Sequence, residues 1–152
     1  MLNLYILFQI CLFDNYWKAY AKGSIVGLTR GVNKDHIIRA GLESMAYNTY
    51  DIVKCMNNIK ELHVDGGVSR NEFLMQFQAD ILGKKVIKSD SSECTALGTI
   101  YMAGLSLGYF KSLNDIKKRI QISKVYLSKM SSKQREELHN GWKNAVKQTI
   151  GE

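Results

Sequence analysis

Leu62-His63-Val64-Asp65-Gly66-Gly67-Val68-Ser69-Arg70-Asn71 is the stretch on which the reading of this chain turns. A short β-forming run stops at paired glycines, and an amphipathic helical pattern starts at Asn71. A residue without a Cβ lets a ligand reach the main chain, and the first amides of a helix are unpaired donors with partial positive charge. Asn71, in the first helical turn, is expected to face the same mouth. Strand, glycine turn and helix in this order also make an ordinary β-to-α connection, so the turn alone marks a place for an anion without naming it.

The pattern on either side predicts alternating helices and strands. Over residues 35–57, Ile38, Leu42, Met45, Ile52, Val53 and Met56 recur at steps that predict a long helix burying that face, with Asn33 or Asp35 as N-cap. Gly41 inside it costs about 1 kcal/mol relative to alanine, and His36 in its first turn reads as a surface residue. The helix over 71–82 is expected to turn Phe73, Leu74, Phe77, Ala79 and Ile81 inward and Gln76 and Gln78 away, and to stop at Gly83. Residues 84–88 predict a strand. Residues 89–93 offer N-caps to a helix whose Ala96, Gly98, Ala103 and Gly104 suit close packing against a sheet. A polar helix over 114–119 and a last one over 131–150, with Leu138, Trp142, Ala145 and Val146 inward, complete the pattern, with no repeat or linker.

A chain of 152 residues holds one domain with a core. The formal charge of +7 raises the possibility of a nucleic-acid-binding domain, but residues 111–152 carry ten Lys/Arg against four Asp/Glu, so the excess lies mostly in the tail. It is not interleaved with stacking aromatics, and no zinc-finger or RNA-binding motif accompanies it, so a solvated helical face is the preferred reading. Cys11, Cys55 and Cys94 form no Cys-x-x-Cys pair and fit a reducing, cytoplasmic compartment, with Cys55 and Cys94 as small packing residues. Residues 1–13 are almost continuously apolar, too short to span a membrane and without the basic region or cleavage site of a signal peptide. They permit a buried strand.

Past the glycines the run Asn71-Glu72-Phe73-Leu74-Met75-Gln76-Phe77-Gln78-Ala79-Asp80-Ile81-Leu82-Gly83 resembles the carbohydrate kinases of the FGGY family, and within it the glycerol kinases rather than the pentulose kinases. The same resemblance is carried upstream by Gly23-Ser24-Ile25-Val26-Gly27-Leu28-Thr29-Arg30-Gly31 and Asn33-Lys34-Asp35-His36-Ile37-Ile38-Arg39-Ala40. Downstream it is carried by Cys94-Thr95-Ala96-Leu97-Gly98-Thr99 and Gly141-Trp142-Lys143-Asn144-Ala145-Val146. It runs from about Tyr16 to the C-terminus. Before Tyr16-Trp17, where the family has a proline and small residues, stand Asp14-Asn15, and the chain has no proline, which marks residues 1–13 as an atypical segment with a truncated or frame-disturbed start.

The resemblance implies an α/β, actin-like (ribonuclease-H-like) domain over 14–152, with a basic helical tail over 109–152, forming the C-terminal half of a two-domain sugar kinase. It implies that Gly67 meets ATP by close backbone approach, that the Asn71 amide bonds near the base, and that Gly66 is a secondary contact. Asp65 is expected to bond the loop amides. Mg2+ would be held by the nucleotide and by the other half, which would also supply the glycerol site and the catalytic base, so no catalytic or metal residue is assigned here. Partners expected are ATP or ADP, glycerol only with an N-terminal kinase half, and that half or a second copy; neither nucleic acid nor membrane is expected. A non-catalytic nucleotide-binding or regulatory remnant is the alternative function.

Overall fold

The structure, a computed structural model, describes residues 3–7, 18, 20–56, 58–91 and 93–151. The readings for Cys11 and for Asp14 to Trp17 lie outside those residues. Among the described residues strands and helices follow in the order β1 (Tyr5–Leu7), β2 (Ser24–Val26), α1 (Lys34–Lys54), β3 (Glu61–Val64), α2 (Glu72–Leu82), β4 (Lys85–Ser89), α3 (Cys94–Ser106), α4 (Leu113–Lys117), β5 (Ile122–Tyr126) and α5 (Ser132–Ile150). β3 and β4 pair in parallel around α2, Leu62 opposite Val86, and β5 pairs antiparallel with β4, giving the order β3-β4-β5. β1 and β2 form a separate antiparallel ribbon. The apolar N-terminal segment thus yields a buried strand at Tyr5–Leu7, whereas β5, four of whose five residues are exposed, has no signal in the apolar pattern.

Helix ends follow local chemistry closely. Asn33 caps α1 by accepting from the Asp35 and His36 amides, and the His36 ring accepts the Asn33 N–H in return, so His36 closes a reciprocal cap rather than only decorating the surface. Ser131 caps α5. Gly83 ends α2 in the left-handed region at φ 62°.

Three burial expectations are overturned. In α1 the buried residues are Ala40, Ser44, Ala46, Tyr47 and, as expected, Val53, while Ile38, Met45 and Ile52, and Met56 past the helix end, are exposed. Small residues on that inner face let α2 and β1 come close, and at about 100° per residue the larger apolar side chains fall on roughly the opposite side. In α2 Phe73 is exposed and Gln78 is buried, against expectation, and the Gln78 amide donates to the Ala46 carbonyl of α1. α3 has no buried residue at all, against the expected packing on a sheet. Cys55 is likewise exposed at the end of α1, whereas Cys94 is half-buried beside Ser89.

The core lies where α1, α2, α5 and β1 meet. Tyr47 stacks flat on Trp142 with centroids 5.0 Å apart and takes Phe77 edge-on at 5.6 Å. The Trp142 indole N–H donates to Asp51 at 2.7 Å. Nearby, His139 stacks on Tyr50 at 3.7 Å and bonds the Ile81 carbonyl at 3.0 Å, which makes its Nε2 the donor.

Two stability outcomes follow. A Cβ at Gly41 would lie 3.9 Å from Ile6, an ordinary contact, so Gly41→Ala should raise stability by up to ~1 kcal/mol through helix propensity, read by urea unfolding; a loss would contradict that account. Burial first, and then Lys143, Arg135 and Lys54, depress the His139 pKa below its ordinary 6.5, against the opposing Ile81 hydrogen bond. A depressed value means the unfolded chain takes up the proton first as pH falls, so this contribution is complete above the ordinary histidine value and is lost as pH drops through the folded one. The thermal midpoint should therefore fall from about pH 8 to about pH 5, and fall less in His139→Gln; equal slopes would assign the effect elsewhere.

Candidate functional site

Strand β3 delivers Asp65 and the two glycines to the carboxyl edge of the parallel pair, where open α/β sheets hold ligands. The helix does not begin at once. Residues Gly67–Arg70 make one 3-10 turn before α2. Gly66 stands at φ 80°, ψ 179°, a conformation available in practice only to glycine. Gly67 needs no such freedom, and a Cβ built on either glycine would meet nothing within 4 Å. The space above the turn is open down to the backbone, the condition for close approach of a ligand.

The turn is tied from within. Ser69 is buried, and its hydroxyl donates to the Gly66 carbonyl at 2.7 Å while its amide bonds the same oxygen at 3.2 Å. Ser69 is a positioning residue that the glycine and asparagine pattern did not single out; its small hydroxyl one residue before Arg70 was the available signal. Asp65, expected to bond the loop amides, is exposed and makes no such bond among the described residues, because Ser69 already closes the turn.

Asn71 is the N-cap of α2, one position before the helix rather than inside its first turn. Its Oδ1 accepts the Leu74 N–H at 3.0 Å. That fixes the side chain with its oxygen turned inward, and leaves the exposed amide NH2 without a partner among the described residues. Glu72, next in line, is held by Lys124 at 2.8 Å, which lowers its pKa through that hydrogen bond. One end of the turn therefore presents glycine backbone open to solvent, a carboxamide donor and the positive end of α2.

Gly66 and Gly67 are open to their backbone and Asn71 caps the helix four residues on, and among the described residues nothing lies within 4 Å of a Cβ built on either glycine. Three cavities among the described residues lie elsewhere. One of about 400 Å3 lies among α1, α2, α5 and β1 between Arg39, Glu43, Tyr47, Phe77 and Leu138, one of about 520 Å3 lies between Tyr109, Phe110, Asp115 and Arg119, and one of about 380 Å3 sits at the end of β4 between Ser89, Cys94, Tyr101 and Arg119. None of the three includes the glycine turn. Among the described residues no group of three His, Cys, Asp or Glu side chains gathers as a metal cage.

Known proteins align with this arrangement. The C-terminal domain of the FGGY family of carbohydrate kinases matches residues 6–107. Glycerol kinase 1 of Clostridium tetani is 51% identical over 140 residues, covering 89% of this chain and 28% of that protein. Among solved structures, Plasmodium falciparum glycerol kinase with ADP superimposes over 97% of this chain and 31% of its own, with a TM-score of 0.87 and 31% identity. Ligand-bound xylulose kinase from Lactobacillus acidophilus does so over 88% of this chain and 29% of its own, with a TM-score of 0.71 and 26% identity. The chain spans under a third of the length of each.

Removing the cap is the direct test of the turn's local geometry. Asn71→Ala should lower stability by about 1 kcal/mol, whereas Asn71→Ser, which keeps a capping oxygen, should stay close to the parent; chemical denaturation of the two variants would expose an error if both fell equally.

Proposed function

Since this chain belongs to the FGGY family of carbohydrate kinases, whose C-terminal domain it matches over most of its length, we propose that it is the nucleotide-binding half of an ATP-dependent glycerol kinase. In this reading glycerol is converted to glycerol 3-phosphate only when the rest of such an enzyme is joined to it. The observation that carries the reading is the Gly66-Gly67 turn, open to its backbone above the amino end of α2.

Phosphoryl transfer asks little covalent chemistry of the protein and depends on alignment, charge neutralisation and closure. The turn supports the first of these. Nucleotide lies against Gly67, Gly66 shapes the approach through its positive φ, and the free NH2 of Asn71 donates near the base while its oxygen stays on the Leu74 amide. Mg2+ rides on the triphosphate and on the other half, and no residue of this chain is assigned to it. The missing second wall matches the short span on the relatives: a nucleotide cleft needs two faces, and this chain supplies one.

The structure also changes which substitution is the cleanest probe. Gly67 has ordinary φ and open space around it, so Gly67→Val leaves the fold intact and removes only the approach of ligand to backbone. With the chain joined to the N-terminal portion of Clostridium tetani glycerol kinase 1, Gly67→Val should raise the Michaelis constant for ATP strongly. Asn71→Ser should raise it up to ~10-fold, since one hydrogen bond is worth about 0.5–1.5 kcal/mol net, and neither should alter that for glycerol. A changed glycerol constant with an unchanged ATP constant would overturn the assignment. The 152-residue chain alone is expected to release no ADP in a glycerol-dependent manner; a joined chain that binds ADP and never turns over would instead mark a regulatory remnant.

A further inference from the structure

Of the ten lysines and arginines carried by residues 111–152, three gather around one hollow. They stand on the segment that leads from α3 through α4 to β5. After α3 the chain turns back at Gly108, whose φ is 74°, and the Tyr109 and Phe110 amides both donate to the Gly104 carbonyl. That return lays the buried Phe110 ring on Gly104, where a Cβ has no room, and Tyr101 meets the ring edge-on at 5.7 Å. The Arg119 guanidinium stands over the same ring, 5.3 Å from its centre. A guanidinium stacked on a ring keeps its N–H edges for an acceptor.

A cavity of about 520 Å3 opens between Tyr109, Phe110, Lys111, Asp115, Lys118 and Arg119, within the range of about 300–1,000 Å3 that small-molecule sites occupy. Its charges are unbalanced. Asp115 is the one carboxylate at the wall, and its Oδ2 already accepts the Lys111 main-chain N–H at 3.1 Å. Arg39, Lys85 and Lys124 each pair with a glutamate, whereas among the described residues no carboxylate pairs with Lys111, Lys118 or Arg119. Lysines on a flat face are solvated one by one, but cations gathered around a concave wall focus a positive potential that an anion relieves. Tyr109 completes the wall: it is 78% exposed and stands edge-on to Phe110 at 5.1 Å.

We propose that this hollow binds a phosphate monoester, with Arg119 holding its oxygens in a fork, Lys111 and Lys118 neutralising its charge, and Tyr109 covering the body that carries the phosphate. The three cations exceed the one carboxylate by two, which matches a phosphate monoester near neutral pH and leaves a carboxylate ligand one charge short. A polynucleotide fits less well, because it calls for a basic track with successive stacking rings, and Tyr109 is the one open ring at this wall. The same group can arrive free in solution or on a lipid headgroup, and the wall's chemistry is common to both. None of these residues belongs to the glycine turn, so the inference stands apart from the nucleotide-half reading.

Phenyl phosphate, titrated into the full 152-residue chain and followed by amide NMR signals, tests it. Signals of residues 109–119 should shift and saturate, and benzoate at the same concentrations should move them far less. The double variant Lys111→Gln/Lys118→Gln alters two exposed side chains that make no described bond, so its circular dichroism should match the parent while its affinity falls about tenfold. Lys133→Gln on α5 removes a charge away from the hollow and should change affinity less than about twofold. Sedimentation with phosphatidylcholine vesicles, with and without phosphatidic acid, assigns the source: capture that needs phosphatidic acid and both lysines marks a headgroup, and phenyl phosphate binding without capture marks a soluble ester. Binding of neither phosphate carrier, equal response to benzoate, a double variant that binds like the parent, or an equal loss in Lys133→Gln would each overturn the proposal. Shifts at residues 66–71 in place of 109–119 would overturn it too while leaving the nucleotide assignment standing.

Discussion

The flat stack of Trp142 on Tyr47 is the contact from which the rest of the domain takes its geometry. It joins α5 to α1, and the same Tyr47 ring receives Phe77 of α2 edge-on and lies 5.8 Å from Tyr5 of β1. The one polar atom of the indole is satisfied by Asp51. Among the described residues the buried hydroxyls of Tyr47 and Tyr5 have no hydrogen-bond partner, which costs about 1–3 kcal/mol each. Burying an aromatic side chain of 150–250 Å2 returns about 4–6 kcal/mol at 25 cal/mol/Å2. The aromatic body therefore wins over its hydroxyl, and burial accordingly pushes both phenol pKa values upward.

Fixing α2 in that way fixes the turn that precedes it. Gln78 holds α2 to α1 through the Ala46 carbonyl, and Gln76 holds it to the Leu127 carbonyl before α5. With its axis set, the amino end of α2 points its first amides back at the carboxyl edge of β3. Asn71 consumes one of those amides, and Ser69 closes the loop on Gly66, so the remaining open groups have fixed positions. The positive end of the helix is worth roughly 0.3–1 kcal/mol toward an anion when exposed, too little to bind a nucleotide without further contacts.

The sequence revealed the alternating architecture, the cap at Asn33, the stop at Gly83 and the glycine turn, because each is decided within a few residues. Burial was less legible. The stripe Ile38, Met45, Ile52 was read as core from period alone, and periodicity reports that a face is apolar without reporting whether its partner belongs to the same chain. Gln78 was read as outward for the converse reason: its amide is buried because it meets a carbonyl on α1, a tertiary contact. β5 escaped notice since its residues alternate no apolar face. At the turn, the roles expected of Gly66, Gly67 and Asn71 came from the family resemblance, whereas the tie through Ser69 and the capping by Asn71 required backbone geometry.

The division between what is rigid and what is uncovered has a consequence for mechanism. Every described hydrogen bond that shapes the glycine turn is local, running between residues 66 and 74, so the turn holds its shape without a facing wall. Electrostatic interactions at such a surface remain screened by water, because a phosphate lying on it is solvated on its far side. Closure by a second wall is what converts the same amides and carboxamide into strong, water-excluded contacts. On the proposed reading the chain supplies positioning, and the dielectric environment in which positioning becomes catalysis has to come from a second wall.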